Sequence, residues 1–240
     1  MTFDFTVVTA NAHLLWQGFL ITLYYTVITI AAGLLIGLVI GLILLSPFRP
    51  LVWLGRVYVE FFRNIPLLVI VLWTYYALPI FSGVNITKGW AGFLALSFYV
   101  GSFYAEILRA GVQSIDPGQT DASTALGMSY GQRMRRIILP QAFRRMVPPL
   151  AGQSIIQMKN TTLLSMITVP DLLYQGSYIS CFTYRPIEIY TAIGLIFVII
   201  LVESRNGHGT RKGNTQAPRH LPALRQGRGA AWRRSFRRPG

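Results

Sequence analysis

From Leu14 to Phe48 the chain runs for 35 residues without a charged side chain, whereas a helix of roughly 20 apolar residues already crosses a bilayer. Lipid is the environment that such a run needs, and we expect a first membrane span near residues 18–44. Within it Gly33, Gly37 and Gly41 recur every fourth residue, so they share one helix face and let another helix approach closely. That spacing suits helix packing, with a gating hinge as the sharper alternative. The preceding residues, MTFDFTVVTANAH, hold neither a basic n-region nor an Ala-x-Ala-like site. The first apolar stretch is therefore expected to stay in the protein rather than to be cleaved as a signal peptide.

Four more apolar stretches follow, near 62–81, 90–108, 147–168 and 187–202. With 240 residues, 52% hydrophobic, and a mean hydropathy of +0.47, the chain is too apolar for an ordinary soluble domain. It reads as an all-α, polytopic integral membrane protein with five transmembrane helices. Arg49, Arg56 and Arg63 stand between the first two spans, where Pro47 and Pro50 mark a loop, and Arg133, Arg135, Arg136, Arg144 and Arg145 stand between the third and fourth. The turn SGVNITKG (82–89) carries Lys88 alone, and a polar loop with Asp171, Gln175, Ser177, Tyr178 and Arg185 precedes the fifth span. Basic loops face the cytoplasm. That rule places the N-terminus outside and the C-terminus inside. Arg63, at the entry to the second span, reads as a snorkelling anchor or as a contact for a partner subunit.

The segment from Glu106 to Pro149 cannot lie in lipid and must meet water or another protein. Asp116 before Pro117 is an N-cap with proline at the first helical position. Gly127 falls where a left-handed residue ends a helix. Ser129 with Gln132 forms a capping box for a second short helix, which Pro140 is expected to close after Ile137, Ile138 and Leu139. On the first helix Ala122, Ala125 and Leu126 share a face, a small apolar stripe suited to docking in a groove. Topology alone does not require two separately capped helices, so the loop as a whole reads as a docking element at about 116–139.

The run DASTALGMSYGQRMRRIILP resembles the cytoplasmic coupling motif of ABC importer permeases, an acidic residue and two alanines, three residues, glycine, about nine residues, then Ile-x-Leu-Pro. Asp121, Ala122, Gly127, Ile137, Leu139 and Pro140 match, Asp121 stands where the family usually has Glu, and Ser123 replaces the second alanine. The blocks FFRNIPLLV (61–69), YAEILRAGVQSIDPGQ (104–119), ILPQAFRRMVPPL (138–150) and MKNTTLLSMI (158–167) resemble the branch that imports polar amino acids, and the resemblance covers roughly residues 15–200. It implies a type I importer permease fold in the bacterial inner membrane. It further implies partnership with two ATPase subunits, a second permease (another copy or a different chain), and an extracytoplasmic binding protein that delivers the amino acid. Asp121, Ala122, Ala125 and Gly127 would seat in the ATPase.

Lys159 is costly inside a span and points to a polar interior. Relatives often read Lys-Asp-Thr there; this chain has Lys159, Asn160, Thr161 and Thr162, a cation among amide and hydroxyl groups that suits a substrate carboxylate. These four residues are the expected transport path, with an interface anchor or a structural bond to backbone carbonyls as the plainer alternative for Lys159, and acidic or neutral amino acids preferred over basic ones.

No catalytic or metal constellation accompanies them. Cys181 is the sole cysteine and His13, His208 and His220 lie toward the ends, so we expect no metal site. No Gly-Lys dipeptide exists, hence no Walker A loop. ATP and magnesium would be bound by a partner ATPase, and this chain is expected to be a transport subunit rather than an enzyme. A secondary transporter or channel would need relay groups or an inverted repeat, and a membrane enzyme would need more than Glu60, Glu106 and Asp171 offer.

The formal charge of +14 is concentrated beyond Glu203, where ten Lys or Arg occur with no acid. Residues 1–203 are the expected permease domain; 204–240 read as a basic, disordered tail without apolar period. Its abrupt composition suits a change of reading frame or an inert extension, with anionic membrane lipid and then nucleic acid as lesser alternatives.

Overall fold

The computed structural model describes residues 5–209, and every regular element among them is helical. A short helix α1 (Thr6–Ala10) leads into α2 (Ala12–Leu44), the longest element. Helix α3 (Arg49–Asn64) precedes a broken segment made of α4 (Leu67–Leu72), a π turn over Trp73–Ala77, and α5 (Leu78–Ser82). Helix α6 (Lys88–Gln113) returns alongside α2. Two short helices follow, α7 (Pro117–Ala125) and α8 (Tyr130–Arg133), and a π turn over Met134–Ile138 joins α8 to α9 (Leu139–Asn160). A 3-10 stretch over Thr161–Ile167 continues α9 before α10 (Leu172–Thr183) and α11 (Pro186–Gly209).

Helices α2 and α6 are long and apolar enough to cross a membrane, and α3 with α4–α5 forms a third candidate if the bent pair is one span. The glycine face of α2 lies against α6. A Cβ at Gly33 would stand 2.3 Å from Val100, one at Gly37 would stand 2.5 Å from Tyr104, and one at Gly41 would stand 3.0 Å from Leu108. The close approach expected of that stripe is therefore present. Tyr104, fully buried, bridges onward by its hydroxyl to Ser154 of α9 at 2.8 Å. A core of Leu67, Ile70, Val71, Ala91, Ala95, Leu96, Leu164 and Ile167 joins α4, α6 and the 3-10 stretch.

Several expectations need correction. The stretch 62–81 is not one straight helix: Phe62, Arg63 and Asn64 end α3, and the chain bends by 103° before α4. Pro66 donates no N–H and forces Ile65 out of the helical region, to φ −91° and ψ 133°. Residues 49–61, read as loop, are helical because Pro50 occupies the first turn, where its missing N–H costs nothing.

Pro140 does not close the second coupling helix. It sits in the first turn of α9, straight after the π turn, whose widened backbone relieves the ring's clash with the preceding carbonyl. The stretch 147–168 thus begins inside α9 and changes to 3-10 geometry at Thr161, ending at Thr168 with φ 59°. The polar loop before the last apolar helix is mostly α10, and α11 continues to Gly209, past the expected limit at 202. Residues 210–240, with His220 and the readings offered for that part of the tail, lie outside the described residues.

Candidate functional site

Local sequence explains how the α7–α8 element is held. Ile115 anchors the end of the α6 connection in a cluster with Ile138, Ala142 and Met146. Asp116 Oδ1 accepts the Gly118 N–H at 2.7 Å, which caps α7. At the other end Gly127, with φ 73°, donates to the Thr124 carbonyl at 2.9 Å, and Met128 N–H donates to the Ser123 carbonyl at 3.1 Å. This is a Schellman termination. The expected capping box is also formed: Gln132 N–H reaches Ser129 Oγ, and Ser129 N–H reaches Gln132 Oε1 at 3.1 Å.

Side chains then fix α7 and α8 to each other and to α9. Arg133 donates to Thr124 Oγ1 at 2.7 Å and lies over the Tyr130 ring. Arg145 of α9 donates to the Ser114 carbonyl, and Gln141 donates to Gln119. Of the residues matched to the coupling motif, Ser123 is buried and turned inward, its hydroxyl bonded to the Thr120 carbonyl at 2.8 Å. Asp121, Ala122, Ala125 and Gly127 are exposed. Leu126 is 79% exposed and Tyr130 is 65% exposed, so the apolar stripe is presented outward on a fixed scaffold.

Helix α9 starts beside this element and ends at Lys159 and Asn160, about 33 Å away at 1.5 Å per residue. Lys159 is exposed, Asn160 and Thr162 are half-buried, and Thr161 is fully buried. The two threonines bond backwards, Thr161 to the Met158 carbonyl and Thr162 to the Lys159 carbonyl, each at 2.7 Å. Those bonds hold the tightened backbone of the 3-10 turn.

The sequence reading missed a buried polar link one turn earlier. Gln157 donates to Thr29 Oγ1 of α2 at 3.1 Å, and Asn160 donates to Gln157 Oε1 at 3.4 Å. The available signal was Gln153 and Gln157 at four-residue spacing on the buried face. The expected coupling and path residues therefore form two separate groups, one at each end of α9.

A second polar feature lies between α9 and α11. Asp171 is fully buried and caps α10 by accepting the Tyr174 N–H at 2.8 Å, while its Oδ2 has no partner. The adjoining Leu172 N–H donates to Thr22 Oγ1 of α2. Burial pushes the Asp171 carboxyl up to about 7, above the ordinary value near ~4. The protonated acid is then the form that the fold favours, so its stabilisation is complete below ~4 and lost as pH rises through about 7. We expect the wild-type melting temperature to fall between pH 5 and pH 8 and that of Asp171→Asn to vary much less. Parallel slopes in a thermal melt of the purified protein would refute this assignment.

The sequence from residue 33 to residue 204 matches the family described as binding-protein-dependent transport system inner membrane component. The chain belongs to this permease family. The permease is 37% identical over 192 residues to the probable glutamine ABC transporter permease protein GlnM of Bacillus subtilis (strain 168), covering 80% of this chain and 88% of that one. It is 32% identical over 202 residues to the arginine transport system permease protein ArtQ of the same organism, covering 84% and 92%. A chain in a crystal structure of an amino acid ABC transporter with histidines superposes with a TM-score of 0.82 at 35% identity, covering 86% of this permease and 96% of that chain. The chain is accordingly a multi-pass inner-membrane component of an ABC importer, a role that implies ATPase and binding-protein partners. The resemblance in the coupling motif and its flanking blocks led to the same family.

Proposed function

We propose that the permease carries a polar amino acid, released by an extracytoplasmic binding protein, through a dimer of permeases driven by two ATPase subunits. The observation that carries this reading is the exposed apolar face of α7, fixed by its own caps and tied to α9. In the proposed mechanism Ala122, Ala125 and Leu126 seat in the ATPase surface and Asp121 bonds a basic residue there. ATP-driven closure of the two ATPases then moves α9 as a rod. Magnesium and ATP stay with the ATPase.

Five spans are proposed, with α9 and α11 added to the three candidates, the N-terminus outside and the C-terminus in the cytoplasm. The arginine-rich connections at α3 and at α7–α9 support that orientation. Five helices leave one chain little room to enclose a guarded path, which favours a pair of permeases. Lys159, Asn160 and Thr162 are assigned to that path; Thr161 is assigned to hold the turn beneath them.

Similarity to permeases named for glutamine and for arginine supports a polar amino acid as cargo. The missing acid beside Lys159 supports an acidic or neutral one. Uptake of labelled glutamine, glutamate and arginine into proteoliposomes holding the full complex should require both ATP and the binding protein, with arginine the poorest substrate. Arginine uptake equal to the others would overturn the preference. Uptake driven by an ion gradient without ATP would overturn the mechanism.

A further inference from the structure

An apolar cleft of about 250 Å³ stays open between the end of α2 and α3, lined by Ile40, Ile43, Leu54, Gly55, Val57 and Phe61. Tyr58, also in the lining, donates its hydroxyl to the Phe98 carbonyl at 2.6 Å, so the only polar side chain there is already engaged. The gap lies beside a firm contact: a Cβ at Gly55 would stand 2.9 Å from Ile43, and Val59 is buried with Leu44 and Ala105. Leu54 and Phe61 are nevertheless exposed. The depth of the cleft follows from the other end of α2. Tyr24 of α2 and Trp90 of α6, both exposed, line one hollow where those helices meet, and such aromatic residues mark a membrane surface. Roughly 30 Å of hydrocarbon is about 20 residues of helix. Counted from Tyr24, it ends at Leu44, the last residue of α2.

Directly past that level the chain becomes basic. The uncharged run ends at Phe48, and Arg49 opens α3. No side chain caps this helix and no acid stands in its first turn, so its first N–H groups are left to an outside acceptor. A cation at the positive end of a helix dipole is unfavourably placed unless an anion joins it. Among the described residues Arg49 makes no ion pair. Glu60, the only acid on α3, is eleven residues further on, about 16 Å along the axis. Glu106 lies within electrostatic reach of Arg56 and Arg63, not of Arg49. Trp53, exposed and four residues after Arg49, shares its face, a pairing of cation and indole that suits a helix at a membrane surface.

We propose that the corner between α2 and α3 binds one anionic phospholipid, with its phosphate on Arg49 and the first turn of α3 and an acyl chain in the cleft beside Ile40, Leu54 and Phe61. Each half of the site matches one half of such a lipid. A positive helix end stands at headgroup level, and the apolar cleft begins just inside it. From Arg49, Leu54 is about 8 Å and Phe61 about 18 Å along α3, the direction in which a chain runs below its phosphate. A soluble anion would match the helix end alone, and an apolar protein surface the cleft alone. The site requires that α2 crosses the membrane; it is independent of the cargo and of the coupling element.

The test titrates dioleoylphosphatidylglycerol or dioleoylphosphatidylcholine into the complete transporter in detergent and counts retained lipids by native mass spectrometry. The wild type should hold one phosphatidylglycerol about fivefold more tightly than phosphatidylcholine, the contribution of one basic residue near an anionic lipid surface. Arg49→Gln should remove this preference and Arg49→Lys should keep most of it. Leu54→Asn should weaken both lipids together. Arg136→Gln, which removes an exposed cation elsewhere, should leave the first lipid in place. Equal affinities in the wild type, or an unchanged preference in Arg49→Gln, overturn the site. An effect of Arg49→Gln with none of Leu54→Asn points to a bare anion and overturns the lipid; an equal effect of Arg136→Gln points to diffuse charge and overturns it too. Phosphatidylglycerol with a diazirine on one acyl chain supplies a readout that needs no variant. At limiting lipid it should label the wild type within residues 40–61, and labelling confined to other segments overturns the proposal even if a variant does not assemble.

Discussion

Gly127→Val is expected to leave ATP hydrolysis by the assembled transporter running while amino acid uptake falls by about tenfold or more. Gly127 holds φ 73° at the Schellman end of α7, a conformation that costs an ordinary L-residue roughly 1–2 kcal/mol and a β-branched one more. A Cβ there would meet nothing within 4 Å, so crowding in the permease is not the cause. Valine drives the backbone out of the left-handed region. That breaks the bonds from Gly127 and Met128 to Thr124 and Ser123 and shifts the exposed Leu126 against the Ala122–Ala125 face. About 1.4 kcal/mol of lost seating is already a tenfold change in a docking equilibrium. Gly127→Asn separates conformation from composition, because asparagine tolerates the left-handed region. It should retain most uptake. The measurement is uptake and hydrolysis in the same vesicles; equal uptake per ATP for valine and glycine would remove the coupling role from α7.

The caps of α7 and α8 were legible in the sequence because each is a short-range device. Asp116 before Pro117, Gly127 after Leu126, and Ser129 with Gln132 all act within five residues, and all three are formed. The glycine stripe was legible for a similar reason, since four-residue spacing fixes a face without knowledge of the partner. What failed was the placing of helix boundaries around proline, since a break at Pro66 was not expected within 62–81 and the end expected at Pro140 is not there. Pro66 breaks its helix by 103°, Pro140 sits just past a π turn, and Pro148 and Pro149 lie within α9. Sequence does not distinguish these cases, because the outcome depends on whether neighbouring turns widen to take the ring. The polar contacts hardest to foresee join residues far apart in the chain, Gln157 with Thr29 and Leu172 with Thr22. For Arg63, the entry to an apolar run suggested an anchor or a contact for a partner subunit, and the ring of Phe103 under its guanidinium, 40 residues further along the chain, had no local signal.

Gly37→Leu should prevent the permease from assembling as a stable protein. At this position a Cβ would stand 2.5 Å from Tyr104 Cβ and 3.1 Å from both the Ala105 nitrogen and the Gly101 carbonyl oxygen. Two of those three atoms are backbone within the α6 helix and cannot yield as a flexible side chain does. A leucine there forces α2 and α6 apart along their shared length and carries Tyr104 away from Ser154, loosening α9 as well. Overpacking of this kind costs ~1–3 kcal/mol where a core can adjust, and more where the obstacle is main chain. Gly41→Ala is the graded comparison, because its Cβ would be 3.0 Å from the Leu108 side chain; only a mild loss is expected. The pair also separates packing from a hinge. If the stripe serves packing, Gly37→Leu lowers the yield of monodisperse protein and its melting temperature, and Gly41→Ala follows in the same direction with a smaller step. A stable, monodisperse Gly37→Leu protein whose uptake alone is impaired would assign the stripe to gating instead.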